Sequence, residues 1–109
     1  MMFRWEPDMV RFMKDASEYG DYHARLAARI AAHLPAGAHV CDAGCGLGYL
    51  SRALAPLCGR VTALDISENA LAVARALARP LPNMAVVRAD METFAPAEPF
   101  DAMVFCFFG

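Results

Sequence analysis

The stretch that decides the fold is Asp42-Ala-Gly44-Cys-Gly46-Leu-Gly48, which lies between an apolar segment and a helical pattern. Its three glycines remove Cβ atoms where the backbone has to turn sharply and approach a ligand closely. The helix that follows directs free N–H groups and the positive end of its dipole toward such a ligand. The sequence therefore predicts a strand, a glycine-rich binding turn and a helix at this point.

Short apolar segments alternate with helical patterns along most of the chain. We predict strands over residues 39–43, 61–65, 84–88 and 100–107, and helices over residues 22–34, 49–57 and 67–79. Ser67 can cap the last of these helices, and Pro80 forbids its continuation. Strands that alternate with helices in this way are typical of a parallel sheet with right-handed crossovers, so the predicted fold class is α/β.

A carboxylate ends the second predicted strand, about twenty residues beyond the glycine-rich turn, where it can bind the diol of a ribose. This acid is Asp65, and it indicates a site for an adenosine-like nucleoside. A dinucleotide fold is the alternative, but it requires a third glycine where this chain has Tyr49. In addition, Asp42 at the mouth of the turn would repel a pyrophosphate and suits a ligand that bears an ammonium group.

The pattern D-x-G-x-G-x-G, with an acid ending the second strand and another after the third, resembles that of class I S-adenosylmethionine-dependent methyltransferases. The resemblance extends over residues 40–109. It implies a Rossmann-like three-layer α/β/α fold with a mostly parallel sheet, of which strands 3-2-1-4 are present. It also implies transfer of a methyl group from the sulfonium by in-line displacement to an acceptor, which could be a small molecule, RNA or protein. A dinucleotide-binding domain and a non-catalytic S-adenosylmethionine-binding protein stay open as alternatives.

The resemblance implies that the glycine-rich turn holds the methionine portion of the cofactor. Asp42 matches the acid of the family that contacts this portion, and Gly44, Cys45 and Gly46 match the turn whose backbone packs against it. Asp65 matches the acid that binds the ribose. These five residues form the larger part of the expected cofactor site.

The remaining expected contacts are to the adenine. Ile66 matches the apolar residue that packs on the adenine ring, and Asp90 with Met91 matches the pair that contacts the edge of the ring. The end of the fourth strand faces the methyl group in this family, and here it has the uncharged sequence Cys106-Phe-Phe-Gly109. We therefore assign no catalytic residue.

Domain organisation is expected to comprise an N-terminal helical segment, residues 1–36, and a cofactor-binding domain, residues 37–109. The fourth strand is the most apolar one, and ending the sheet there would leave its edge unpaired. We therefore expect the chain to be an inactive fragment, truncated after this strand, that self-associates through residues 102–108.

Composition argues against several other functions. The formal net charge of −2 provides no basic footprint for nucleic acid, although it does not exclude an RNA substrate. No apolar run is long enough to cross a bilayer. None of the four cysteines forms a CxxC pair, which argues against a zinc site, so no metal is expected. Cysteines placed in apolar strands favour a reducing compartment, so we expect a cytoplasmic protein.

Overall fold

The computed structural model describes residues 21–96 and 98–105. Their helices are Tyr22–Ala31 (α1), Tyr49–Leu54 (α2) and Glu68–Ala78 (α3), with a short 3-10 helix at Ala55–Leu57, and their strands are His39–Ala43 (β1), Arg60–Asp65 (β2), Met84–Arg88 (β3) and Ala102–Phe105 (β4). All pairings between these strands are parallel, and the sheet has the order β3-β2-β1-β4. The predicted α/β class and strand order are confirmed.

Several element boundaries differ from the prediction. The second strand begins one residue earlier, at residue 60, and the third helix spans 68–78 rather than 67–79. The fourth strand begins at residue 102 rather than 100, because the Asp101 side chain, in place of a backbone carbonyl, accepts the hydrogen bond of the His39 amide.

The helix predicted over residues 49–57 ends at Leu54 and continues as the 3-10 helix, because Pro56 has no N–H for an α-helical hydrogen bond. The helix predicted over residues 22–34 ends at Ala31. Part of the predicted fourth strand, residues 106–107, and most of the predicted N-terminal segment, residues 1–20, lie outside the described residues.

The two faces of the sheet are covered differently. Val40, Val61 and Ala63 point to the face on which the three helices pack, and they share one buried cluster with Leu54 and Leu71. The alternate strand positions point to the opposite face, where phenylalanines of the β3–β4 connection pack against them: Cys41, Ala43 and Leu64 contact Phe94 and Phe100. Helix α1 contributes Ala27 to the cluster on the helical face of the sheet. None of the helices in the described ranges has the length and apolarity that crossing a membrane requires.

The glycine-rich turn joins β1 to α2 and depends on left-handed backbone. Gly44, Gly46 and Gly48 have φ angles of +73°, +57° and +88°. The amides of Gly44 and Cys45 both donate to the Leu64 carbonyl oxygen, at 2.7 and 2.9 Å, which fixes the turn to the end of β2. The glycines predicted for a sharp turn are therefore required by the conformation of the backbone.

Gly48→Ala is expected to destabilise the fold strongly, because a Cβ at this position would lie 2.8 Å from the Ala74 Cβ on α3. The left-handed conformation costs an alanine about 1–2 kcal/mol, and overpacking adds about 1–3 kcal/mol. Gly37→Ala is the matched control, because Gly37 has φ +73° and nothing within 4 Å of its Cβ position. Denaturant unfolding should show a clearly larger loss for Gly48→Ala, and equal losses would exclude the close contact between α2 and α3.

Candidate functional site: a nucleoside pocket at the carboxyl ends of the strands

A pocket of about 330 Å³ lies where the glycine-rich turn meets the carboxyl ends of β2 and β3. Its lining is formed by Gly44, Leu64, Asp65, Ile66, Ala89, Asp90, Met91 and Glu92. Five of the eight residues predicted from the sequence are in this lining, and Asp42, Cys45 and Gly46 are not. The sequence reasoning missed Glu92, although it follows Asp90 by only two positions in the same turn. Parallel strands end at one edge of a sheet, which is where ligands bind in open α/β folds.

Asp65 connects the pocket to the glycine-rich turn. Its Oδ2 accepts a hydrogen bond from the Gly46 amide at 2.8 Å, and its Oδ1 accepts one from the Ser67 amide at 2.9 Å. Ser67 also caps α3, since its hydroxyl accepts from the Ala70 amide. Each carboxylate oxygen has more than one acceptor position, so both can still accept a hydroxyl of a ligand. Asp65 therefore holds the turn and the start of α3 in place while it faces the pocket.

Asp42 is a buried acid, with a side chain only 1 % exposed. Its Oδ2 accepts a hydrogen bond from the Ser51 hydroxyl at 2.7 Å, and its Oδ1 has no hydrogen-bond partner among residues 21–96 and 98–105. Burial raises the pKa of Asp42 to about 6; the Ser51 hydrogen bond opposes this rise, and the nearby Asp65 charge adds to it. A buried carboxylate oxygen without a partner is unfavourable, and a cationic ligand would satisfy it.

Asp90 organises the loop that borders the pocket. Its Oδ1 accepts a hydrogen bond from the Glu92 amide at 2.9 Å, and its carbonyl oxygen accepts one from the Phe94 amide. This pattern is an Asx turn, a common use of aspartate directly after a strand. Two apolar side chains flank the opening, because Ile66 is 55 % exposed and Met91 is also exposed. Solvent-exposed apolar side chains beside polar acceptors suit the flat face and polar edge of a nucleobase.

Cys45 and Gly46 lie in the turn but contribute differently from the pocket residues. The Cys45 side chain is buried in the main core, and burial raises the pKa of its thiol far above the physiological range. At the turn, the Cys45 amide donates to the Leu64 carbonyl oxygen, and the thiol donates a weak hydrogen bond to the Gly46 carbonyl oxygen at 3.5 Å. The Gly46 amide is bonded to Asp65, which places this glycine between the acid and the start of α2. Both residues therefore shape the turn from its inner side.

Comparisons with known proteins agree with this geometry. Residues 40–108 match the family model described as a methyltransferase domain. A dTDP-3-amino-3,6-dideoxy-alpha-D-glucopyranose N,N-dimethyltransferase from Streptomyces fradiae is 38% identical over 91 residues, which cover 81% of this chain and 34% of that protein. A trans-aconitate 2-methyltransferase from Streptomyces avermitilis is 35% identical over 102 residues, which cover 83% of this chain and 38% of that protein.

A solved structure shares the fold as well. The SAM-bound amino pentose methyltransferase from Micromonospora echinaspora aligns with a TM-score of 0.69 and 28% identity, over 98% of this chain and 44% of that one. The chain thus spans between a third and a half of the length of these proteins. The family match covers the strand, turn and pocket described above, and the chain belongs to the methyltransferase domain family.

Proposed function

We propose that this protein binds S-adenosylmethionine and transfers its methyl group to a small-molecule acceptor. The observation that carries the proposal is the pocket between the glycine-rich turn and Asp65, which five of the expected cofactor-binding residues line. Its position at the carboxyl ends of β2 and β3 is the one that nucleosides occupy in Rossmann-like sheets.

The adenosine half of the cofactor fits the lining of the pocket. Asp65 would accept hydrogen bonds from the two ribose hydroxyls, and the exposed Ile66 and Met91 would pack on the adenine. Asp90 would accept a hydrogen bond from the adenine edge, in addition to its role in the loop. A Cβ on Gly44 would meet nothing within 4 Å, so this glycine leaves open space beside the turn for a closely approaching ligand.

The methionine half carries positive charges on its ammonium and its sulfonium and a negative charge on its carboxylate, and the site offers one buried acid for the ammonium. Oδ1 of Asp42 is the buried acceptor that would bind the ammonium. The turn backbone from Gly44 through Cys45 to Gly46 would pack against the same half of the cofactor. Attraction between opposite charges is strong at a buried position, since water screens it little there.

Bound S-adenosylmethionine supplies a methyl group on a positively charged sulfur, which is already an excellent leaving group. The acceptor forms a bond to the methyl carbon as the carbon–sulfur bond breaks, S-adenosylhomocysteine leaves, and the acceptor loses its proton to solvent or to a base. The residues of this chain would bind and orient the reacting group, which by itself supplies a large rate enhancement. We assign no catalytic residue, and residues 106–109, where the family approaches the methyl group, lie outside the described part of the chain.

The two Streptomyces relatives described above support a small-molecule acceptor, because one is named for a nucleotide-linked amino sugar and the other for trans-aconitate. The net charge of −2 also provides no overall positive charge that would favour nucleic acid.

The division at residues 36 and 37 and the cytoplasmic location stay predictions. Self-association through residues 102–108 also stays a prediction, and it is supported by the exposure of Met103 and Phe105 on β4, an edge strand among the described residues.

Calorimetry is expected to detect binding of S-adenosylhomocysteine and no binding of NAD. Gly44→Val should weaken the S-adenosylhomocysteine complex by about 1–3 kcal/mol, roughly tenfold to hundredfold, because its side chain would fill the open space beside the turn. Gly37→Val is the matched control: both glycines have φ +73° and free space around the Cβ position, and only Gly44 lines the pocket.

Tighter binding of NAD, or equal affinity of the two valine variants for S-adenosylhomocysteine, would contradict the proposed site. Methyl transfer by the protein to small-molecule amines, carboxylates or phenols, followed with a labelled methyl group, separates an enzyme from a cofactor-binding protein without catalysis. Because residues 1–109 span less than half of the length of the related methyltransferases, product formation is expected from a protein that contains the complete methyltransferase domain. Its absence across these acceptor classes in such a protein, when it binds the cofactor, would favour the non-catalytic alternative.

A further inference from the structure

The buried pair Ser51–Asp42 is not explained by the roles assigned above. Ser51 is 0 % exposed and lies on α2, on the side that faces the sheet, among the apolar residues Leu50 and Leu54. Its hydroxyl donates across to β1, to Oδ2 of Asp42 at 2.7 Å. A serine within a helix commonly bonds to a backbone carbonyl of the preceding turn. Here it bonds to the one carboxylate that is buried at this site.

We propose that Ser51 is a positioning residue for the cofactor: its hydroxyl engages one oxygen of Asp42 and leaves Oδ1 as the acceptor for the methionine ammonium. This inference rests on the proposed function. The described residues provide Oδ1 with no hydrogen-bond partner, although the atom is buried. Because Oδ2 accepts the Ser51 hydrogen bond, the carboxylate cannot rotate freely, and Oδ1 stays the oxygen that can accept a hydrogen bond from the ligand. Groups that are held in place before binding lose less entropy when the ligand arrives.

The charges around Asp42 explain why this bond matters for binding. Among the described residues, the ionised group that acts on Asp42 is Asp65, at the end of β2, and it is an acid. The thiols of Cys41 and Cys45 are neutral, since burial raises the pKa of each. The strand positions opposite Asp42 are Ala63 on β2 and Val104 on β4 and cannot carry charge. Burial and Asp65 therefore both disfavour the carboxylate. Ser51 counters them, mainly through its hydroxyl and to a smaller extent through its backbone amide, which Ser51→Ala retains.

The consequence is a pH-dependent contribution of Ser51 to cofactor binding. The pKa of Asp42 is raised to about 6, so the carboxylate already gains protons at slightly acidic pH. Removing the hydroxyl removes the contact that favours the ionised form, which raises this pKa further. The pH-dependent part of the loss of affinity should therefore be largest at and below pH 6 and vanish near pH 8.5, where Asp42 is ionised in either case. Any additional loss that persists at pH 8.5 reports the lost orientation of the carboxylate.

The test is the dissociation constant of S-adenosylhomocysteine for Ser51→Ala, measured by calorimetry from pH 5.5 to 8.5. In a plot of affinity against pH, the acid limb is expected to move upward by about one pH unit. This shift corresponds to affinity about threefold weaker at pH 6.5, approaching tenfold weaker at pH 5.5. Ser51→Thr keeps the hydroxyl and should restore the original curve. In an Asp42→Asn background, Ser51→Ala should produce no such pH-dependent change, because no carboxylate remains to be influenced.

Each other outcome has a defined meaning. An unchanged curve for Ser51→Ala, or a loss that is equal at every pH, would overturn the positioning role and leave a packing role. If Ser51→Ala does not fold, Ser51→Cys replaces it: the thiol is a weaker donor, and an intermediate shift of the acid limb is expected. An unshifted curve for Ser51→Cys would then overturn the inference. Failure of the unmodified protein to bind S-adenosylhomocysteine would reject the proposed function, which distinguishes the two failures.

Discussion

Asp65→Ala is expected to weaken binding of S-adenosylhomocysteine by about hundredfold or more. The carboxylate is the proposed acceptor for the ribose diol, and a hydrogen bond to a charged group contributes about 1.5–3 kcal/mol. The same substitution removes the acceptors of the Gly46 and Ser67 amides, so the glycine-rich turn loses its connection to the end of β2. The direct loss and the loosened turn act in the same direction, which makes this the largest expected effect on binding.

Asp101→Ala is the control for this substitution. Asp101 also accepts a hydrogen bond from a backbone amide, that of His39 at 2.8 Å. It lies directly before β4, at the amino ends of the strands, whereas Asp65 lies at the carboxyl ends. Both variants therefore lose a carboxylate bonded to the backbone, and only Asp65 lies in the pocket. Calorimetry should show near-unchanged affinity for Asp101→Ala. A folded Asp65→Ala protein with the same dissociation constant as Asp101→Ala would remove Asp65 from the cofactor site.

The strands and the glycine-rich turn could be predicted because they depend on local signals, whereas the order of the sheet was expected from the resemblance to the methyltransferase family. The strands over residues 39–43 and 84–88 were predicted with the bounds that the structure has, since short apolar runs between turn residues define them well. The glycines at 44, 46 and 48 were predicted to form a sharp turn, and all three have a positive φ. Both signals act within a few residues, where sequence patterns are most informative.

The parts that were not predicted depend on contacts between separate elements. The Ser51–Asp42 hydrogen bond joins a helix to a strand, and no periodicity reports which buried position of α2 faces the acid. In the same way, the contact of Gly48 with Ala74 depends on how α2 crosses α3. Asp90 was predicted to contact adenine, and its hydrogen bond to the Glu92 amide adds a role in the loop that the strand-end position permits equally well.

Asp42→Asn is expected to separate stability from binding, because the buried carboxylate disfavours the folded state. The pKa of Asp42 rises from 3.8 to about 6 on folding, so between these values the folded protein binds more protons than the unfolded chain. The stability of the unmodified protein therefore falls as the pH rises through this window, and the full penalty is present above pH 6. A shift of this size corresponds to about 3 kcal/mol, since one pKa unit is worth about 1.4 kcal/mol.

Asparagine has nearly the shape of aspartate and can still accept the Ser51 hydrogen bond, but it carries no charge. Denaturant unfolding should therefore show Asp42→Asn to be more stable than the unmodified protein by about 1–3 kcal/mol at pH 7.5, with the difference vanishing near pH 4. At pH 7.5 the same variant should bind S-adenosylhomocysteine about tenfold or more weakly, because the charged partner of the ammonium is gone. Asp101→Asn, a substitution at an exposed acid, should change neither property. If Asp42→Asn lost stability at pH 7.5 and kept its affinity, Asp42 would be a structural acid, and the ammonium would have to be bound elsewhere.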